Sequence, residues 1–394
     1  MKKVLLTAMA ILTVASASVF GMYGATSDWI DFLVHGNQLR VRMDRLGFVL
    51  GNDTIRGTFG FRYDGGVPAK HFGSIFTKQG DSVSAVPTIS GGLGYTSDMF
   101  SIGVGYGFGY VNKNLFSHTP VITFTALDDS LRVAIPVTIA SSDNADNDAV
   151  ANDITTKKGY LGINTDVQIR YYTGIDAFNL IRFHLFYGQN GYKVGTTEYS
   201  AQSLGFQLRL YFLKTQIGNV TINPYVRAEF HTALGAEGKT GTLDQYDNLS
   251  SGASTGVTAI STGLGTHTAN TVTPANQIYA SNPWKFVLRP TLQLAASSDY
   301  VSFIFEPRLG YVASSSGKQD ALRRAEEVKH SLAWGAYAEL YLTPVKDLEW
   351  YFEIDVGDPS SVNEAVNNTA LNTGVYFETS TGITWYLPSF GAEQ

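Results

Sequence analysis

Between Met99 and Val111 the chain alternates residue by residue. Phe100, Ile102, Val104, Tyr106, Phe108 and Tyr110 fall on one side of an extended strand, and Ser101, Gly103, Gly105, Gly107 and Gly109 on the other. Side chains of a strand leave on opposite faces with period two, so one face is oily and the other small or polar. The pattern recurs along the chain, and elsewhere the polar face is charged. A soluble sandwich also alternates, but it closes on its apolar face. Here the aromatic and the charged faces are both long and regular. The fold class this predicts is all-β: a transmembrane antiparallel β-barrel with lipid outside and water within.

Period-two runs cover residues 38–50, 54–63, 87–95, 99–111, 119–127, 131–139, 160–172, 178–187, 198–212, 220–230, 284–294, 301–311, 332–342, 348–356 and 375–387. The count is odd. A barrel with both ends in the periplasm needs one strand more, for which residues 29–34 are the candidate, giving about 16 strands. That segment also reads as a plug or a helical turn, which leaves 14 open. The connections alternate between short turns, as at 51–53, 96–98, 128–130 and 297–299, and long loops, as at 64–86, 140–158, 231–282, 313–330 and 357–369. Short periplasmic turns opposite long extracellular loops are what an outer-membrane barrel requires. A soluble meander has no reason to sort its loops by side.

The first residues predict an export signal. Lys2 and Lys3 precede an apolar run at 4–14, within the length of a signal-peptide core and short of the ~20 residues that span a bilayer. Cleavage sites fit after Ala17 or after Gly21. The organisation expected is a signal peptide at 1–21 and a single barrel over 22–394. No later stretch is apolar for long enough to cross as a helix. There is no cysteine, hence no disulfide, lipidated cysteine or thiolate metal site. Mean hydropathy of -0.02 suits a barrel whose two faces cancel. The net charge of -6 speaks against a nucleic-acid partner.

Arginine and lysine are segregated. Most lysines, with Lys285 an exception, fall in loops and turns, whereas most arginines fall in strands. A charge facing lipid near the midplane costs about 2–4 kcal/mol, so these arginines must face water or a carboxylate. The expected lumen wall comprises Arg40, Arg42, Arg56, Arg62, Asp166, Arg170, Arg182, Arg209, Arg227, Glu229, Arg289, Glu306, Arg308, Glu339 and Glu353, with Asp44 and Glu378 as further strand carboxylates. This wall supports a hydrated diffusion pore of weak or mixed ion preference. The contrasting expectation is a charge network that fills the interior beneath a display or adhesion protein. A secreted soluble β protein is a third, weaker option.

Catalysis has no support in the spacing: the seven histidines are scattered, and no His, Ser and orienting Asn or Asp meet as a barrel hydrolase would need. No enzyme activity and no cofactor are expected. The glycines at Gly103, Gly105 and Gly107 alternate within a strand with no helix following, so they are not a dinucleotide loop. Their expected role is to leave room on the inner face. Gly238-Lys239-Thr240 lacks the first glycine and the helix of a phosphate loop. The acidic stretch 143–148 lacks the glycine and closing Glu of a calcium loop, so no metal site is expected. Residues 319–330 read as a short loop helix, and the Ser/Thr/Gly-rich stretch 240–281 as a mobile exposed loop suited to antibody or host contact.

The segment MKKVLLTAMAILTVASASVFGMYG, followed by WIDFLVHGNQLRVRMDRLGFVLGN and GTFGFR as far as Arg62, closely resembles the variable surface proteins of intestinal spirochaetes of the genus Brachyspira. The resemblance implies an abundant, surface-exposed outer-membrane antigen that varies among paralogues and assembles into larger complexes, a homo-oligomer among them. It favours cleavage after Gly21. It brings no catalytic or ligand-binding residues. The expected partners are thus outer-membrane lipid, further copies of the chain, and host surfaces or antibodies.

Overall fold

The computed structural model describes residues 26–42, 45–63, 87–112, 115–142, 157–194, 197–237, 279–315, 317, 327–358 and 375–387. The expected signal peptide, the acidic stretch 143–148 and nearly all of 240–281 lie outside these residues, as does most of 319–330, whose last two positions extend a strand.

One antiparallel sheet closes on itself. In chain order its strands are β1 (Gln38–Arg42), β2 (Arg45–Gly51), β3 (Ile55–Tyr63), β4 (Pro87–Thr96), β5 (Phe100–Asn112), β6 (Leu115–Ala126), β7 (Leu131–Ser142), β8 (Lys157–Ile175) and β9 (Phe178–Val194). They continue as β10 (Thr197–Phe212), β11 (Thr215–Ile217), β12 (Val220–Leu234), β13 (Trp284–Ser297), β14 (Val301–Ser315), β15 (Lys329–Val345), β16 (Leu348–Gly357) and β17 (Tyr376–Tyr386). Each pairs with the next, except that β10 and β11 both pair with β12, and β1 pairs with β17, Arg40 opposite Tyr386 and Arg42 opposite Thr384. The stub β11 continues the line of β10 beyond Leu213 and Lys214, and a two-residue turn at Gly218-Asn219 returns it to β12. Gly218 has φ +60 there, as tight hairpins require. The barrel therefore has sixteen staves.

Sixteen was the expected number, but two of its parts differ. Residues 38–50 are not one strand: the chain reverses between Arg42 and Arg45, which face each other in the ladder. Residues 29–34 are not a strand either. They belong to a 3-10 helix, Thr26–Val34, that lies inside the barrel against β5, β6, β7 and β8. A short apolar run such as WIDFLV suits a buried helix as well as a strand, and periodicity alone does not separate them.

The faces point as the alternation demands. Val104 is 59% exposed and Phe100, Ile102 and Tyr106 are exposed beside it, while Ser101 on the other face is buried. Tyr95, Tyr171, Tyr300, Trp350 and Trp385 are exposed near the short turns, and Tyr106, Phe116, Tyr311 and Trp334 near the opposite end. These are the two aromatic girdles of an outer-membrane barrel. Between them lies an aliphatic band that includes Leu93, Val104, Ile122, Ile135 and Leu292. The inside carries Thr58, Ser90, Thr123, Asn164, Gln168, Ser203, Gln207, Asn223 and Thr291 as buried polar side chains. Strands β8 and β9, 19 and 17 residues long, exceed the 9–11 residues needed to cross and rise past the girdle on the long-loop side.

Candidate functional site: an inclined arginine row and a pinned helix in the lumen

The inner glycines of β4 and β5 have a specific use. A Cβ on Gly105 would lie 2.3 Å from the Trp29 ring, one on Gly92 2.7 Å from it, and one on Gly94 2.4 Å from Leu33. Gly103 meets Leu33 and Phe32 at 3.0 and 3.1 Å. The expectation of room on the inner face is correct, and the room is filled by the helix. Trp29 is 1% exposed and packs edge-on to Phe32 with ring centroids 5.8 Å apart.

Charge holds the helix from the other sides. Asp31 spans two staves, its Oδ1 accepting from Arg132 of β7 at 2.8 Å and its Oδ2 from Arg170 of β8 at 2.6 Å. The guanidinium of Arg56 donates to the carbonyl of Leu33 at 2.7 Å and to that of His35. Leu33 is in the last turn of the helix, whose closing carbonyls have no partner within it, and His35 follows its end. Burial pushes the Asp31 carboxyl up, but Arg170 and Arg132 outweigh this and hold it below the usual carboxylate range. Burial pushes the His35 imidazole down to about 4; Asp31 opposes this, and Arg40, Arg132 and Arg56 add to it.

The ladder register brings six arginines into one row. Arg132 faces Arg170, Arg170 faces Arg182, Arg182 faces Arg209, Arg209 faces Arg227 and Arg227 faces Arg289. All six are on the inward face. Five interstrand steps of ~4.8 Å make about 24 Å of wall. Because the strands of such barrels tilt by ~35–45°, the row climbs about 15 Å. Its foot is Arg132, beside the short turn before β7, and its head is Arg289, midway along β13. Like charges directly opposite each other destabilise a sheet, so a row of this length needs negative charge or strong polar contact along it.

Part of that is built in. Arg227 donates to Glu229 through Nε at 2.8 Å, and Glu229 also accepts from Gln207 at 3.1 Å and pairs with His231 at 2.7 Å. Arg209 donates to Gln207 at 2.7 Å and lies over the Tyr225 ring, 5.9 Å from its centroid. The buried Nε atoms of Arg170 and Arg182 have no hydrogen-bond acceptor.

Three of the expected carboxylates gather beyond the head of the row. Glu306 of β14 accepts from Gln293 at 2.6 Å and Tyr225 at 3.1 Å. Glu339 of β15 accepts from Tyr337 and, at 2.9 Å, from Tyr341. Glu353 of β16 faces Glu339 in the ladder and accepts from Ser380 at 2.7 Å. Arg308 instead pairs with Asp355 of β16. Around the closure, Arg42 lies 3.7 Å over the Tyr351 ring and donates to its hydroxyl at 2.8 Å, and Arg40 is buried. Arg62 shares the inward face of β3 with Arg56. Asp166 is fully buried, bonded to Gln168 and His184, both at 2.8 Å. Asp44 lies outside the described residues, as does the side chain of Glu378.

Sequence reasoning missed Asp31, since a residue assigned to a strand was not a candidate partner for the wall. It also missed Asp355, whose arginine is two staves away. The arginines themselves were legible; their alignment was not, because it depends on register.

Among solved structures, a bacterial polysaccharide outer membrane secretin is similar at 9% identity, over 89% of this chain and 98% of that one, with a TM-score of 0.46. OmpT of Vibrio cholerae, folded in vitro, is similar at 11% identity over 89% and 97%, with a TM-score of 0.35. The translocator domain of autotransporter NalP from Neisseria meningitidis is similar at 11% identity over 91% of each chain, with a TM-score of 0.29. None of these likenesses bears on what the chain does, and the closure rests on its own register. No curated protein matches the chain. The model of the Serpulina hyodysenteriae variable surface protein matches residues 2–386. A sixteen-stave barrel with an outward oily band, matched over nearly its whole length by that model, belongs to the Serpulina hyodysenteriae variable surface protein family and is an outer-membrane protein of it.

Proposed function

We infer that this barrel is a surface-exposed diffusion channel, porin-like in kind, whose lumen is narrowed by its own N-terminal helix. The observation that carries this reading is the polar, arginine-rich inward face of the barrel. Sixteen-stranded barrels are wide enough to leave an aqueous path, and the helix takes up part of that width, seated against β4 to β8, bonded to β3 and sharing a buried cluster with Tyr341 and Tyr351. A barrel serving only as a stand for its loops has no need of arginines on so many inward faces, since apolar or small neutral side chains would fill it at lower cost.

Conductance of the pure, folded protein in planar bilayers tests the reading. Discrete ion currents are expected, and no current from protein that migrates as folded on a heat-modifiability gel would remove the channel. The pinned helix favours a second reading, a closed barrel that displays antigenic or adhesive loops to host surfaces and antibodies. Deleting residues 240–278 separates the two: antibody or host binding falls in both cases, but current persists only if the barrel conducts.

A further inference from the structure

We propose that the inclined arginine row is a binding track for small oxyanions, the phosphate or carboxylate groups of solutes in the lumen, and that Asp31 sits on its lowest two steps. The proposal deepens the channel reading by naming the solute class, and departs from the mixed ion preference that the sequence alone suggests.

Three observations carry it. First, the row is continuous: each of Arg132, Arg170, Arg182, Arg209, Arg227 and Arg289 faces the next across the ladder. Guanidinium groups are planar, permanently charged forks matched to carboxylate and phosphate. Second, one oxyanion is already seated. Asp31 places one oxygen on Arg132 and the other on Arg170, at 2.8 and 2.6 Å. That arrangement demonstrates that two neighbouring steps bind a single carboxylate between them. Third, the next step up keeps donors in reserve. Arg182 has a buried Nε without an acceptor, as has Arg170 beside it. Its other neighbour, Arg209, is held by the neutral Gln207 amide, the Tyr211 hydroxyl and the Tyr225 ring, with Glu306 as the nearby carboxylate.

The Arg182–Arg209 pair therefore repeats the ladder register of the Asp31 seat, with the neutral Tyr211 hydroxyl bonded to both guanidiniums where the seat has a carboxylate. An oxyanion entering at the Arg289 end would exchange one pair of guanidiniums for the next as it descends. At the foot it would meet Asp31, and passage requires that Asp31 yield its place on Arg170. The helix is in this sense a competing internal anion.

The test has two arms on the same folded protein. In planar bilayers, the reversal potential under a potassium chloride gradient is expected to indicate anion selectivity, and inorganic phosphate to block the chloride current. By calorimetry in detergent, inorganic phosphate is expected to bind. Arg182→Gln with Arg209→Gln should weaken phosphate block and binding about tenfold, as loss of charge-assisted hydrogen bonds does. Arg182→Lys with Arg209→Lys should retain anion selectivity while losing phosphate affinity, because charge survives and the fork does not. Heat-modifiable migration establishes that each variant is folded. Cation selectivity, or phosphate affinity unchanged in the Gln variant, overturns the track. If no current flows, the channel reading falls, and calorimetry still decides the track: phosphate binding lost in the Gln variant upholds it, and absence of binding ends it.

Discussion

Asp31 Oδ2 lies 2.6 Å from Nη1 of Arg170, a residue 139 positions further along the chain. With Arg132 on its other oxygen, this carboxylate ties the helix to two staves of the wall. Breaking a buried pair by removing one partner typically costs about 3–5 kcal/mol, because the remaining charge is left uncompensated. Asp31→Asn is expected to release the helix and raise single-channel conductance. Conductance equal to the parent's would mean that the charge does not hold the helix in place.

The glycine seat gives an independent handle on the same helix. A methyl on Gly105 would overlap the Trp29 ring, 2.3 Å away, and overpacking of this kind costs about 1–3 kcal/mol. Gly105→Ala should displace Trp29 and shift tryptophan emission to the red. In a Trp29→Phe background the shift should vanish; if it persists, another tryptophan is responsible.

Acid should loosen the helix. Docking holds the His35 imidazole neutral, with its pKa pushed down to about 4 from 6.5. The undocked form therefore takes up a proton as pH falls below 6.5, and docking weakens progressively down to about 4. Asp31 acts in the same direction lower down. Its docked pKa lies below 3.8, so its contribution is complete above 3.8 and is lost as pH falls through the docked value. Conductance is expected to rise between pH 6.5 and 4, and His35→Gln to flatten that part of the profile. A flat profile in the parent protein would uncouple His35 from docking.

The lipid face predicts a cost rather than a gain. Val104 lies in the aliphatic band between the girdles and is 59% exposed. Val104→Arg is expected to destabilise the barrel by about 2–4 kcal/mol, measured by urea unfolding in lipid vesicles. A change below 0.5 kcal/mol (about the spread of neutral surface substitutions) would mean that Val104 does not face hydrocarbon.

Much of the barrel was legible because two solvents impose two faces. The strand around Val104 and the arginine-bearing strands read correctly, since a one-residue slip would put guanidiniums into lipid. What failed was local. Met43-Asp44 offers a lone aspartate as a turn signal, with no glycine, proline or asparagine beside it, so β1 and β2 read as one strand. The segment at 29–34, read as the missing strand or else as a plug or helical turn, is the helical alternative, and its loss from the count is offset by the split of 38–50 into two strands. The site was legible as residue types only: Arg170 and Arg182 were both assigned to the lumen, but no spacing in the chain reveals that they are neighbours.

The sheet is joined end to beginning where β17 meets β1, and that junction is short. Three residue pairs are in register there, against sixteen between β9 and β10. It also unites the most distant segments of the chain, so every other hairpin can zip up locally before this seam has a partner. Non-local pairings of this kind are slow to form. The last stitch of assembly and the first gap to open under stress are thus the same place, with Arg40 and Arg42 on one lip and Trp385 and Tyr386 on the other.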